Sequence, residues 1–132
     1  PSTLPCMPIK KVLWQFAKGD RSVPNPASTA IIRAANMREN TQYYRHDLAR
    51  EAAKDLPANP HPYLAGFLDL DSGGLQFSLA GLAIANAAQS QIAGFFNSDG
   101  AQIPNANTLV RLLFGKDLFE APDALTEELN WQ

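Results

Sequence analysis

The feature that most constrains the fold is an apolar run that ends abruptly at a glycine and an aspartate. The sequence IKKVLWQFA, residues 9–17, is rich in branched and aromatic side chains and is almost continuously apolar from Val12. Such a run predicts a strand buried on both faces, as strands of parallel sheets are. Residues 9–26 therefore predict a strand followed by a loop, GDRSVPNP, that carries the carboxylate of Asp20.

The next segments alternate between helix and strand. PASTAIIRAAN predicts a helix with Pro26 near its first position, and TQYYRH, residues 41–46, predicts a second short strand that His46 ends. DLAREAAKDL then predicts a helix, and three prolines in PANPHPY, residues 57–63, predict a loop. This order predicts a βαβ unit, and therefore an α/β fold with a parallel sheet and flanking helices.

A segment without charged residues follows, from Ser72 to Ser98. It predicts a long helix over about residues 75–97, in which Ile84, Ala88, Ile92 and Phe95 form an apolar stripe. Several polar residues interrupt it, so no transmembrane segment is expected. The tail, residues 101–132, is mixed in pattern, with a short strand or helix expected at Leu109 to Phe114.

Composition excludes several classes of function. The net charge of the 132-residue chain is −2 and it has no basic run, so no nucleic-acid partner is expected. The only cysteine, Cys6, excludes a cysteine-based zinc site, and no cofactor is expected. A weak calcium-loop pattern places Asp69 and Asp71 at the first and third positions, but Ala80 stands where the pattern needs Glu.

The chemistry is expected at the carboxyl ends of the two strands, where open α/β sheets bind ligands. Asp20 follows the first strand, His46 ends the second strand, and His61 lies in the loop region after it. An aspartate that accepts a hydrogen bond from histidine Nδ1–H orients the ring, so that the histidine can serve as a general base. The strand-terminal position favours His46 as the base, and His61 in the following loop is the other candidate.

The motifs LWQFAKGDRSVPNPASTAIIRAAN, YYRHDLA, NPHPYL, AQSQIAGFFNSDG and LFEAPDALTEELNW together resemble the C-terminal part of an α/β-hydrolase. More narrowly, they resemble large bacterial lipases of the extracellular or virulence-factor type. The resemblance spans about Val12 to Trp131, and GDRSVPNP and NPHPYL are its most specific motifs. It implies an ester-hydrolysing enzyme with Asp20 as triad acid and His61 as triad base. It also favours an exported protein, whereas the sequence itself leaves the compartment open.

One part of the family pattern is missing. The nucleophile elbow of α/β-hydrolases, G-x-S-x-G, does not occur in the sequence. We therefore expect an incomplete domain: the C-terminal portion of a hydrolase sheet, inactive alone, whose partners are an ester or lipid substrate and an upstream part bearing the serine. Two clear strands are also few for a complete sheet. The alternative is a non-catalytic α/β binding module that retains hydrolase-like motifs.

Overall fold

The computed structural model describes residues 10–67 and 78–123, which form a small mixed sheet and four α-helices. Two single 3₁₀ turns, Arg38–Asn40 and Tyr63–Ala65, lie in the connections. In chain order the elements are β1 (Trp14–Ala17), α1 (Asn25–Ala35), β2 (Thr41–Tyr44), α2 (His46–Ala52), α3 (Leu79–Asn97), α4 (Asn107–Phe114) and β3 (Phe119–Glu120).

The sheet has the order β1-β2-β3. β1 and β2 pair in parallel, from Trp14 opposite Thr41 to Ala17 opposite Tyr44. Helix α1 lies between them in the chain, as parallel strands require a crossover connection. The two-residue strand β3, which the sequence did not predict, pairs antiparallel with β2, with Phe119 opposite Tyr44. Among the described residues, β2 is therefore the central strand and β1 lies at an edge.

Both faces of the parallel pair are covered, which explains the continuous apolar run. Successive side chains of a strand point to opposite faces. Phe16 and Tyr43 pack with Ile32 of α1 on one face, and their ring centroids lie 4.7 Å apart. Ala17 and Tyr44 join the larger core on the other face. That core also takes in buried residues of α2, α3, α4 and β3.

The strands are shorter than predicted. The first covers Trp14–Ala17 and leaves out residues 10–13 of the predicted strand, since Trp14 already lies opposite Thr41, where β2 begins; Ile9 lies outside the described residues. Val12 is 38% exposed. The second strand ends at Tyr44 and not at residue 46, because Arg45 is already the N-cap of α2 and its carbonyl accepts from the Ala49 amide at 3.2 Å. The expectation that His46 ends this strand is therefore wrong: His46 is the first residue of α2.

Helix α3 begins at Leu79, and its Ser78 cap accepts a hydrogen bond from the amide of Gly81 at 3.3 Å. It ends at Asn97, as expected, while residues 75–77 of the predicted helix lie outside the described residues. Within the apolar stripe, Ile84, Ala88 and Phe95 are buried and Ile92 is half-buried. Residues 109–114 are helical, as part of α4. Within residues 10–67 and 78–123, no helix combines the length and apolarity that crossing a membrane requires.

Candidate active site

The loop after β1 holds Asp20 in a fixed position. Gly19 has a positive φ of 86°, which lets the chain turn immediately after the strand. The buried side chain of Asn25 spans the turn: its Oδ1 accepts from the Gly19 amide at 3.0 Å, and its Nδ2 donates to the Ala17 carbonyl at 2.6 Å. One carboxylate oxygen of Asp20 in turn accepts from the amides of Ser22 and Val23, at 2.8 and 2.9 Å. These bonds orient the carboxylate.

Asn59 connects this loop to the histidine loop. Its Oδ1 accepts from the amide of Arg21 at 3.1 Å and from the amide of His61 at 3.3 Å. Its Nδ2 donates to the Ser22 hydroxyl at 3.2 Å. A single side chain thus ties the residue after Asp20 to the backbone of His61, and so fixes the separation of the two loops.

The structure brings Asp20 and His61 together. Nδ1 of His61 lies 3.0 Å from Oδ2 and 3.2 Å from Oδ1 of Asp20. Because an ionised carboxylate only accepts hydrogen bonds, this contact places the proton of a neutral His61 ring on Nδ1. The Asp20 side chain is 14% exposed and that of His61 is 49% exposed. None of the hydrogen bonds formed among the described residues engages Nε2 of His61, so this nitrogen keeps its lone pair available.

His46, the alternative base, lies in a different environment. Its Nε2 is 2.8 Å from the Pro57 carbonyl, which can only accept, so Nε2 carries the proton and Nδ1 accepts from the Tyr44 hydroxyl at 3.1 Å. The side chain is buried, and this burial lowers its pKa. Both ring nitrogens are occupied, and neither hydrogen bond goes to Asp20. The arrangement is typical of a structural histidine.

Tyr63, two residues after His61, is buried. Its ring stacks on Tyr44 with centroids 4.9 Å apart, and its buried Oη has no hydrogen-bond partner among the described residues. Burial raises the pKa of the Tyr63 phenol, and the negative charge of Asp20 raises it further. The phenol of Tyr63 therefore stays neutral.

The sequence did not predict the two asparagines that hold the loops. Both precede a proline, Asn25 before Pro26 and Asn59 before Pro60. An Asn-Pro pair favours a turn, and its side-chain amide can hydrogen-bond the backbone of that turn. This repeated dipeptide was therefore the signal that could have identified them.

Neither a serine bonded to His61 nor a metal-binding cluster occurs among the described residues. No serine hydroxyl of residues 10–67 or 78–123 hydrogen-bonds His61. Across the same residues, no cluster of three or more histidine, cysteine, aspartate or glutamate side chains could hold a metal ion. The weak calcium candidates Asp69 and Asp71 lie outside the described residues.

Comparison with known proteins gives no relative: no family model, no curated protein and no solved structure matches this chain.

Proposed function

We propose that this protein is a serine-dependent carboxylic-ester hydrolase, a lipase or esterase, in which Asp20 and His61 are the acid and the base of the catalytic triad. The observation that carries the proposal is the contact of 3.0 Å between Nδ1 of His61 and the Asp20 carboxylate, directly after a parallel strand. Nε2 of His61 forms no hydrogen bond with the described residues, and the side chain is 49% exposed, as a base that must meet a substrate requires.

The proposed reaction has two acyl-transfer steps. Nε2 of His61 takes the proton from a serine hydroxyl as that oxygen attacks the ester carbonyl, and then gives the proton to the departing alcohol. In the second step Nε2 takes a proton from water, whose oxygen attacks the acyl-serine, and then returns this proton to the serine. Asp20 stabilises the imidazolium that forms in each step.

The nucleophilic serine of this proposal lies outside the 132 residues. The sequence lacks G-x-S-x-G, and among the described residues β1 has a strand neighbour on one side only. On α1, the apolar residues Ala30, Ile31 and Ala34 share a side that faces solvent, with Ile31 49% exposed. An unpaired strand edge beside an uncovered apolar helix face is where further strands and helices of a larger sheet would pack.

The test uses the full-length translation product that contains these residues. We expect it to hydrolyse a short-chain 4-nitrophenyl ester and to be labelled by a fluorophosphonate at a serine outside this chain. His61→Gln should abolish hydrolysis. His46→Gln is the matched control, because glutamine can still donate to the Pro57 carbonyl and accept from Tyr44; it should leave turnover near wild type.

The proposal is wrong if His61→Gln retains near-normal esterase activity, or if the full-length product neither hydrolyses the ester nor reacts with the fluorophosphonate. Loss of activity in His46→Gln with retention in His61→Gln would instead make His46 the base.

A further inference from the structure

A second feature lies beside the Asp20 loop. A cavity of about 330 Å³ opens between this loop and α2. Its volume is at the lower end of the range for small-molecule sites. Its lining residues are Lys18, Gly19, Arg21, His46, Asp47, Arg50, Glu51, Lys54 and Ala58.

The charges that line this cavity are mainly positive, although the whole chain is acidic. Its two carboxylates already have cationic partners. Asp47 accepts from Lys18 at 3.0 Å and from Arg45 at 2.7 Å, and Glu51 accepts from Lys116 at 3.3 Å. Two of these three partners, Arg45 and Lys116, do not line the cavity. The charges of the two carboxylates are therefore balanced mainly by cations outside the cavity lining.

Three cations of the lining remain. Arg21, Arg50 and Lys54 are exposed, and none forms an ion pair with a carboxylate in residues 10–67 and 78–123. Two guanidinium groups and an ammonium group on one concave surface attract an anion with several oxygen atoms. Arginine presents paired N–H donors that match phosphate geometry, and lysine adds a point charge.

The cavity adjoins the proposed catalytic pair. Gly19 and Arg21, on either side of Asp20 in the chain, both line it. Asn59, which follows the lining residue Ala58, binds the backbone amides of both Arg21 and His61. The loops that hold the acid and the base are therefore also walls of the cavity.

We propose that this cavity binds the phosphate group of the ester that the enzyme hydrolyses, so that the substrate class is phosphate-bearing carboxylic esters such as acylated glycerophosphates. The assignment of the phosphate to the substrate rests on the proposed ester hydrolysis, whereas binding of phosphate rests on Arg21, Arg50 and Lys54 alone. The cavity positions the substrate and takes no part in bond breaking.

The first experiment measures binding without turnover. Phosphorus NMR of inorganic phosphate and of glycerophosphate is recorded with the full-length protein. We compare the variant Arg50→Gln/Lys54→Gln with the control Lys10→Gln/Arg111→Gln, which removes the same charge from residues outside the lining. We expect both ligands to bind the wild type and the control, and about tenfold weaker binding to the cavity variant, because two exposed cation contacts are lost.

The second experiment measures specificity. With butyryl glycerophosphate as substrate, Arg50→Gln/Lys54→Gln should raise KM about tenfold and leave kcat unchanged, because the cations act in binding; with monobutyrin, which lacks the phosphate, KM should not change.

The two proposals fail separately. Equal phosphate binding by the cavity variant and the control, or binding of inorganic phosphate without glycerophosphate, overturns the cavity as a substrate site even if esters are hydrolysed. Equal effects on KM for the two esters overturn it as well. Absence of ester hydrolysis overturns the proposed function, and with it the claim that the phosphate belongs to the substrate. In that case, selective loss of phosphate binding in the cavity variant would still support an anion site in the cavity.

Discussion

Oδ2 of Asp20 lies 3.0 Å from Nδ1 of His61, and the two residues are 41 positions apart in the sequence. Asp20→Asn tests this relationship with the turn retained, since an amide oxygen can still accept from the Ser22 and Val23 amides. The amide nitrogen, however, donates, and therefore favours the opposite His61 tautomer with its proton on Nε2. We expect kcat for ester hydrolysis to fall by about four orders of magnitude, as in triads that lose their carboxylate.

Nitrogen chemical shifts of the His61 ring report the tautomer directly, and kcat reports its consequence. Asp99→Asn is the control, because Asp99 is exposed and asparagine tolerates its positive φ of 50°. An unchanged tautomer together with turnover near wild type would show that Asp20 does not orient the base.

Asn59→Ala should separate the two loops without changing the side chain of Asp20 or His61, the proposed acid and base. The change removes one acceptor for the Arg21 and His61 amides and one donor to the Ser22 hydroxyl. We expect faster hydrogen exchange at both amides. We also expect kcat to fall by a larger factor than KM rises, because displacement of the base impairs catalysis more than substrate binding.

Ser22→Ala is the matched control for this change, because it removes only the hydroxyl partner of Asn59. We expect it to lower the free energy of unfolding by less than about 1 kcal/mol and to leave exchange at the His61 amide unchanged. Equal exchange and kcat in the Asn59→Ala and wild-type proteins would contradict a positioning role for Asn59.

The elements with strong local signals are those that the sequence predicted. The apolar run before Gly19 pairs in parallel with the second strand, and residues up to Asn97 form a long helix. The predicted start of the first strand was wrong because tertiary pairing sets it: β1 begins at Trp14, which lies opposite Thr41, the first residue of β2. No local pattern contains that partner.

The candidate site was predictable where a side chain itself carries the chemistry. Asp20 and His61 were visible as a candidate acid and a candidate base, but the choice between His61 and His46 depends on which ring nitrogens already form hydrogen bonds. The partners of His46 are the Pro57 carbonyl and the Tyr44 hydroxyl, which only the fold brings to His46. Likewise β3, with two residues, has too little sequence to give a period-two pattern.

His46 should make folding sensitive to acid. Burial lowers its pKa in the folded protein, so the unfolded chain, with a pKa of about 6.5, binds more protons below that pH. The stabilising effect of the neutral ring is thus complete above about pH 6.5 and is lost as the pH falls towards the folded value. We expect the free energy of unfolding, measured in urea, to be lower at about pH 5 than at about pH 7.5.

His46→Gln should reduce this pH dependence, since glutamine keeps both hydrogen bonds and does not titrate. His61→Gln is the control for the other histidine. It should retain the part of the pH dependence of the free energy of unfolding that His46 causes. An identical slope in His46→Gln and wild type would refute the role of His46 in acid sensitivity.

Asn107 fixes β3 against the core. Its Oδ1 accepts from the amides of Leu118 and Phe119 at 3.0 and 2.8 Å, and its Nδ2 donates to the Phe119 carbonyl at 2.6 Å. Asn107→Ala leaves these buried groups unpaired and should lower the free energy of unfolding by about 2–4 kcal/mol. Urea unfolding measures the change. The exposed neighbour Thr108 serves as control, and Thr108→Ala should change stability by less than about 0.5 kcal/mol.

Gly94 marks the close approach of α3 to the segment before α4. A Cβ atom at Gly94 would overlap Cγ of Pro104. Replacing a helical glycine by alanine ordinarily stabilises a helix by about 0.5–1 kcal/mol. Here we expect Gly94→Ala to lower the free energy of unfolding by about 1–3 kcal/mol, because the new methyl overpacks the contact.

The contact can be tested as a pair, because Pro104→Ala removes the overlapping ring and keeps the Pro104 carbonyl that accepts from Gln91. Urea unfolding of the two single variants and of Gly94→Ala/Pro104→Ala gives a double-mutant cycle. We expect the double variant to be more stable than the sum of the single changes, by about 1 kcal/mol or more, since residues in contact do not act additively. Additive changes would mean that the helix moves away from Pro104 at little cost, and that this contact does not set the position of α3.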